Sequence, residues 1–229
     1  MGTIARALGP DPAAVTPEQI TSWASQKTWA RETRRSTYAC LRSFFGWCSA
    51  AGGDPTSGLP SVKPADPRPR PTPDVVYRRA LHAAAPRTAV ILQLAAEGGL
   101  RRAEIARVHS LDLSGCWLTV HGKGDKTRTV PLPSALAATV AAADGWVFPA
   151  GAGGHLTPGH VGVLASRALP PGWTLHTLRH RFATAVYAAT GDLLAVQTLL
   201  GHSSPATTRL YVAVDGARLM AAARLAWAT

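Results

Sequence analysis

Apolar side chains in the first fifty residues recur with the period of an α-helix. In the segment 31–51 they lie three and four residues apart, at Tyr38, Leu41, Phe44 and Phe45. A shorter helix is predicted from Pro17 through Trp23, because Thr16 is a favoured N-cap and proline is favoured at the first helical position. The N-terminal part of the chain is therefore predicted to be a small helical unit.

Beyond residue 73, helical segments surround one strand-like region. Helices are predicted over about 73–85, 86–97, 102–108, 158–168, 177–190, 192–200, 205–212 and 215–227. Residues 117–120 and 129–132 have strand-like patterning and flank a glycine-rich turn at 122–126, which predicts a β-hairpin. The predicted fold class is mainly α with a small β-hairpin or sheet (α+β).

A proline-rich segment divides the two parts. Its alternating prolines remove backbone donors and favour extended conformations, so the segment is predicted to be a semi-stiff linker. The predicted boundaries are 1–62 for a small helical domain, 63–73 for the linker, and 74–229 for a larger second domain. Both parts are basic: 9 basic minus 5 acidic residues gives +4 before residue 73, and 15 minus 8 gives +7 after it.

The net charge of the 229 residues is +11, and 46% of them are hydrophobic. Such a chain has a core and is not disordered, and its charge favours a polyanion, nucleic acid before membrane, as partner. A protein that is basic without binding DNA remains an alternative. The arginines at 31, 34, 35 and 42 fit either a DNA-backbone contact surface or a solvated helix face.

The three cysteines, Cys40, Cys48 and Cys116, lack Cys-x-x-Cys spacing. They are expected to be reduced thiols, and neither a disulfide framework nor a zinc site is predicted. The sequence has no apolar run of membrane-spanning length and no N-terminal signal segment. The expected location is the cytoplasm.

Phosphodiester cleavage needs a nucleophile, stabilisation of the charge on two non-bridging oxygens and a proton for the leaving alkoxide. Metal nucleases use clustered carboxylates to hold the stabilising ions. The 13 acidic residues of this chain form no tight cluster along the sequence, so neither a metal nor another cofactor is expected. Cationic and imidazole side chains are expected to do this work.

Six polar residues in the second half of the chain could supply this chemistry. They are Arg101, Lys123, His176, Arg179, His202 and Tyr211. His176 and Arg179 stand three residues apart, and on a helix that separation puts both side chains on one face and within reach of one phosphate. Tyr211 is the expected nucleophile. Tyr187, in the apolar run 182–189, is predicted to be a core residue instead.

Four separated motifs resemble those of the tyrosine recombinase family, which includes phage integrases and Xer-type resolvases. The motifs are Gly99-Leu100-Arg101-Arg102-Ala103-Glu104, Gly122-Lys123-Gly124-Asp125-Lys126, His176-Thr177-Leu178-Arg179-His180, and Leu199-Leu200-Gly201-His202-Ser203 through Thr208-Arg209-Leu210-Tyr211. They occur in the family's order over residues 73–229. The first 72 residues resemble the family's helical core-binding domain only coarsely.

The resemblance implies a role for each position. Tyr211 would attack the scissile phosphate and leave a 3′-phosphotyrosine and a free 5′-hydroxyl, so that resealing needs no nucleotide cofactor. Arg101 and Arg179 would clamp the non-bridging oxygens, and His202 would donate a hydrogen bond to the same phosphate. His176 would help to accept the tyrosine proton, and Lys123 would protonate the leaving oxygen. Glu104 would be a structural acid that orients the site.

The resemblance also implies partners: double-stranded DNA with core-type attachment sites, and three further copies of the chain in a homotetramer on DNA. About 60 residues precede the linker, so a minimal phage integrase without an arm-binding domain is expected. A Xer-like or transposon resolvase, a monomeric type IB topoisomerase and a non-catalytic DNA-binding regulator on the same scaffold remain alternatives. Whether the apolar C-terminal segment docks on its own domain or on a neighbouring protomer is left open.

Overall fold

The computed structural model describes residues 2–48, 54–64, 70–122, 124 and 126–201. The chain forms two compact units, Met1–Pro67 and Arg68–Thr229. Both are largely helical within the described ranges, as the sequence predicts. The helices expected at 205–212 and 215–227 lie outside the described residues.

The first unit contains helices α1 (Gly2–Leu8), α2 (Pro17–Ser25) and α3 (Arg31–Cys48). Helix α2 begins where predicted: the Thr16 hydroxyl accepts a hydrogen bond from the Gln19 N–H, and the Gln19 side chain accepts one from the Thr16 N–H. Tyr38, Leu41 and Phe45 of α3 are buried against Ile20 and Trp23 of α2. Helix α1 was not predicted.

In the second unit, helices precede and follow a small sheet along the chain. They are α4 (Asp74–Ala83), α5 (Pro86–Ala96) and α6 (Arg102–Ala106) before the sheet, and α7 (Ser134–Ala141), α8 (Pro158–Ala168), α9 (Leu175–Thr190) and α10 (Leu193–Leu200) after it. Helix α7 was not predicted, although Leu136, Ala137 and Val140 have helical spacing and are buried. Within the described ranges, no helix has the length and hydropathy that crossing a bilayer requires.

The sheet of the second unit consists, in the described part, of strands β1 (Leu113–Ser114), β2 (Trp117–His121) and β3 (Thr127–Pro131) in that order, all antiparallel. Strands β2 and β3 form the predicted hairpin, in which Val120 pairs with Arg128 and His121 with Thr127. The two-residue strand β1 was not predicted.

Helix α5 is the central helix of this unit and packs against α4, α7, α8 and α9. Its buried side chains are Thr88, Ile91, Leu92, Leu94, Ala95 and Ala96. A helix that is apolar on most faces is stable only when other elements cover it. The C-terminal end of α5 therefore has a fixed position, and the turn that follows it leads to the first of the polar residues described next.

Candidate active site

A glycine turn after α5 places the first predicted site residue. Gly99 has φ +66°, and a Cβ there would lie 2.5 Å from Cδ1 of Phe182 on α9, so both the conformation and the space require glycine. Leu100 is then fully buried, and Arg101 becomes the residue that precedes α6.

Glu104 of α6 is buried and gathers cations. Its Oε2 accepts the backbone N–H of Arg101 at 2.7 Å, and its Oε1 accepts Nη1 of the Arg101 side chain at 2.8 Å. Arg128 of β3 donates Nη1 to Oε1 and Nη2 to Oε2, both at 2.8 Å. Nη1 of Arg179 lies 3.8 Å from Oε2. Burial by itself raises the pKa of Glu104, but the hydrogen bonds from Arg128 and from the Arg101 backbone outweigh it and lower the pKa to about 2.

The charges around Glu104 do not cancel. Among the described residues, three guanidinium groups, those of Arg101, Arg128 and Arg179, surround one carboxylate, which leaves an excess of two positive charges. The Arg101 side chain is still 44% exposed, whereas those of Arg128 and Arg179 are 9% and 2% exposed. This cluster attracts an anion, and Arg101 is the member that solvent and ligands reach most easily.

Arg179 of α9 connects two chain segments that are distant in sequence. It donates Nη1 to the Gly99 carbonyl and Nη2 to the Leu200 carbonyl, the latter at 2.6 Å. Arg128 adds a bond from Nε to the Leu199 carbonyl at 2.8 Å. Both arginines therefore fix the end of α10, which closes at Gly201 with φ +62°. His202, the next residue in sequence, lies outside the described residues, as do Lys123 and Tyr211.

His176 lies in the first turn of α9 and is exposed, and the buried His180 follows it one helical turn later. The Nε2 atoms of His176 and His180 are 3.0 Å apart, and the ring centroids are 4.3 Å apart. Partial burial of the His176 ring disfavours its charged form and lowers its pKa. The positive charges of Arg179 and Arg101 lower this pKa further. Burial, His176 and Arg179 lower the pKa of His180 to about 4. Both imidazoles are therefore neutral at pH 7.

One cavity of about 650 Å³ collects the described members of the predicted set. Arg101, His176 and Arg179 line it, together with Arg102 and small residues of α8 such as Gly159 and Gly162. The structure thus brings three of the six predicted residues to one place. Gly122, which precedes Lys123, lies beside the cluster, since a Cβ there would be 4.0 Å from Oε1 of Glu104.

Two further polar side chains of this site, those of Arg128 and His180, are not among the six residues that the sequence predicts. Arg128 stands two residues before the buried Val130, so strand alternation puts both on the inward face. An arginine at an inward position needs a carboxylate as its partner, so the strand pattern by itself indicates a buried ion pair at this position. His180 carries no comparable signal, because its partners depend on how the segment before α4 packs.

Tyr187, the alternative nucleophile, is half-buried and packs against the cluster formed by Phe182, Ala183, Val196 and Leu200. Within the described ranges, no group of three or more histidine, cysteine or acidic side chains could hold a metal ion.

Comparisons with known proteins agree on one family. The protein-family model described as "Phage integrase family" matches residues 74–218 of this chain. The tyrosine recombinase XerC of Methylobacterium nodulans is 36% identical over 220 residues, which cover 80% of this chain and 67% of that protein. XerC of Methylobacterium sp. strain 4-46 is 44% identical over 139 residues, which cover 54% of this chain but only 42% of the relative. The chain therefore spans less than two thirds of the length of several such relatives.

Solved structures show the same fold. The integrase of mycobacterium phage Brujita is 32% identical, with a TM-score of 0.54 over 92% of this chain and 77% of that chain. A lambda integrase dimer bound to a COC′ core site has a TM-score of 0.70 at 18% identity, over 93% of this chain and 85% of that chain. At such low identity the second likeness concerns the fold alone.

Proposed function

The chain belongs to the phage integrase family of tyrosine recombinases, and from this premise we propose that it is a site-specific DNA recombinase. It cleaves and rejoins double-stranded DNA through a 3′-phosphotyrosine intermediate. The observation that carries the proposal is the cluster in which Arg101 and Arg179 meet at Glu104 and face one cavity with His176. A binding module needs no such convergence on a single phosphate.

The excess of positive charge suits a phosphodiester in its transition state. As the nucleophile attacks, negative charge grows on the non-bridging oxygens, and preorganised guanidinium groups stabilise it without rearrangement. Glu104 keeps Arg101 in place by two hydrogen bonds, and the carbonyls of Gly99 and Leu200 keep Arg179 in place. These residues position the two arginines before DNA arrives.

The bond changes follow from the remaining members. The phenolic oxygen of Tyr211 forms a bond to phosphorus, the bond to the 5′-oxygen breaks, and the ammonium of Lys123 gives that oxygen a proton. His202 donates a hydrogen bond to the same phosphate. By analogy with the family, His176 is proposed to accept the proton of the Tyr211 phenol. This role requires a free lone pair on the imidazole ring. The reverse attack by a 5′-hydroxyl reseals the strand, and the energy of the phosphoester is retained.

The biological reaction is proposed to be integration or excision of a phage or another mobile element. Residues 1–62 serve as the domain that binds core-type sites, 63–73 as the linker and 74–229 as the catalytic domain, with a homotetramer holding two duplexes. Similarity to the Brujita phage integrase favours this role. Similarity to XerC proteins favours a second candidate, a Xer-like resolvase with the same chemistry.

The test is a covalent trap. A library of nicked duplexes with randomised sequence is incubated with the intact chain in EDTA, and protein–DNA adducts that survive detergent are isolated. We expect an adduct whose phosphotyrosine peptide contains Tyr211. Tyr211→Phe should abolish the adduct without weakening DNA binding, whereas the control Tyr187→Phe should retain it. An adduct that persists in Tyr211→Phe, or one that forms only with added metal, contradicts the proposal.

The trapped sequences then separate the candidate roles. Two duplexes that carry the selected site are mixed, and exchange of strands between them is followed on a gel. Exchange supports a recombinase, while relaxation of supercoils without exchange supports a topoisomerase. Binding without any adduct supports a DNA-binding regulator.

A further inference from the structure

The two histidines on α9 are connected to the segment that precedes α4. The backbone N–H of Arg70 donates to Nδ1 of His180 at 3.3 Å. Nε2 of the same ring lies 3.0 Å from Nε2 of His176. A line of three groups therefore runs from the main chain at Arg70, through one buried imidazole, to a residue that lines the cavity.

The first bond fixes the proton of His180. A backbone N–H can only donate, so Nδ1 of His180 must contribute a lone pair. His180 is buried, with 8% of the residue exposed, and its lowered pKa keeps the ring neutral at pH 7. A neutral imidazole has one proton, which in His180 must then be on Nε2.

The second bond transfers this constraint to His176. Because Nε2 of His180 carries hydrogen, it is the donor, and Nε2 of His176 is the acceptor. His176 is neutral as well, so its own proton must be on Nδ1. The lone pair that would take a proton from a phenol is therefore occupied.

We propose that His180 is a positioning residue that holds the proton of His176 on Nδ1 and so makes His176 a hydrogen-bond donor toward the reacting phosphate. This inference deepens the recombinase function proposed above and rests on it. His176 accepts the phenol proton only in a conformation in which its bond to His180 is broken. The phosphate then meets an N–H group from His176 beside the guanidinium groups of Arg101 and Arg179.

The segment that supplies the Arg70 N–H is itself anchored on α9. Thr72 donates its backbone N–H to the Thr177 carbonyl at 3.1 Å, and the two threonine hydroxyls are 2.8 Å apart. The guanidinium of Arg70 lies over the ring of Trp173, 4.8 Å from its centroid. These contacts hold the donor in place, so the tautomer of His176 depends on the end of the proline-rich segment.

The direct test is the tautomer of His176 in the free, intact chain. Two-bond proton–nitrogen correlation spectra of histidine-labelled protein distinguish a protonated Nδ1 from a protonated Nε2, and His176→Gln identifies the signal. We expect Nδ1–H for His176 and Nε2–H for His180 at pH 7.5. A wild-type spectrum with the proton of His176 on Nε2 would overturn the proposal without any variant.

Two pairs of variants separate the hydrogen bonds from packing. His180→Gln keeps a hydrogen-bond donor near Nε2 of His176, whereas His180→Phe keeps only an aromatic ring. We therefore expect the proton of His176 to be no longer confined to Nδ1 in His180→Phe, and to stay there in His180→Gln. Arg70→Pro removes the backbone N–H, while Arg70→Ala removes the contact with Trp173 and keeps the N–H. Only the proline variant should change the His180 and His176 signals. Equal spectra within either pair would contradict the proposal.

Cleavage supplies a second readout. Loss of one oriented donor at the phosphate should slow adduct formation about tenfold in His180→Phe, with His180→Gln within about twofold of wild type. Equal slowing in both variants would mean that His180 acts through packing alone, which overturns the proposal. If the wild-type chain forms no adduct at all, the recombinase function fails, while the tautomer measurement still decides the arrangement of the two rings.

Discussion

Arg128 binds both carboxylate oxygens of Glu104, with each terminal nitrogen 2.8 Å from one oxygen. The pair is buried and connects the β2–β3 hairpin to the helix that follows Arg101. A buried carboxylate that loses such a partner is left with a large desolvation penalty. The pair is therefore a structural requirement of the candidate active site.

Arg128→Ala should destabilise the second unit by about 3 kcal/mol. The control is Arg78→Ala, whose pair with Asp74 is exposed to solvent and should contribute far less to stability than the buried pair. Native-state hydrogen exchange of amides in α5 and α9, measured against urea, reports on this unit specifically. Similar losses of unfolding free energy in both variants would show that the buried pair contributes no more to stability than the exposed pair.

Gly99→Ala should be more harmful than Gly115→Ala. Both glycines have positive φ, +66° and +59°, but a Cβ at 115 meets nothing within 4 Å, whereas one at 99 clashes with Phe182. The conformational cost of about 1 kcal/mol is common to both, and overpacking should add about 2 kcal/mol at 99. The same exchange measurement checks the difference, and equal effects would remove the steric argument.

Stability of the second unit should fall between pH 6.5 and pH 4. The pKa of His180 is about 4 in the folded chain against an ordinary 6.5, so the unfolded chain binds its proton first as the pH falls. The contribution of His180 to this loss should reach about 3 kcal/mol at pH 4 and stay nearly constant at lower pH. His176 contributes with the same sign, since its pKa is also lowered.

The ionisation of Glu104 makes stability depend on pH in a second, more acidic range. Its pKa of about 2 against 4.5 stabilises the folded chain above pH 4.5, and this contribution is lost as the pH falls toward 2. Urea unfolding at several pH values checks both windows. His180→Gln should weaken the dependence between pH 6.5 and 4 and leave the lower window intact; an unchanged upper window would refute the assignment to His180.

Lys123→Ala should slow cleavage of ordinary DNA. A bridging 5′-phosphorothiolate should restore the rate, because a sulfur leaving group departs without a proton. Single-turnover adduct formation on both substrates is the measurement, with wild type as the control. If the sulfur substrate gives no rescue, Lys123 is not the general acid.

Local patterns in the sequence predict much of the fold. The helix starts at Pro17, Pro86 and Pro158 follow from residues a few positions apart, and the hairpin follows from alternation around a glycine-rich turn. The unpredicted helix α7 is short, and strand β1 has two residues, too few for a periodic pattern. Tertiary packing stabilises such short elements more than their own propensity does.

By itself, the sequence determined the family, the α+β class and the set of polar residues from which Arg101, His176 and Arg179 come to one cavity. Only the tertiary structure decided that Arg128 holds Glu104 and that the Arg70 N–H sets the proton on His180. Helix caps and strand alternation are contacts between near neighbours in sequence, so local order reveals them. The partner of a buried charge or imidazole is chosen by which segments pack together, and these two contacts join residues 24 and 110 positions apart.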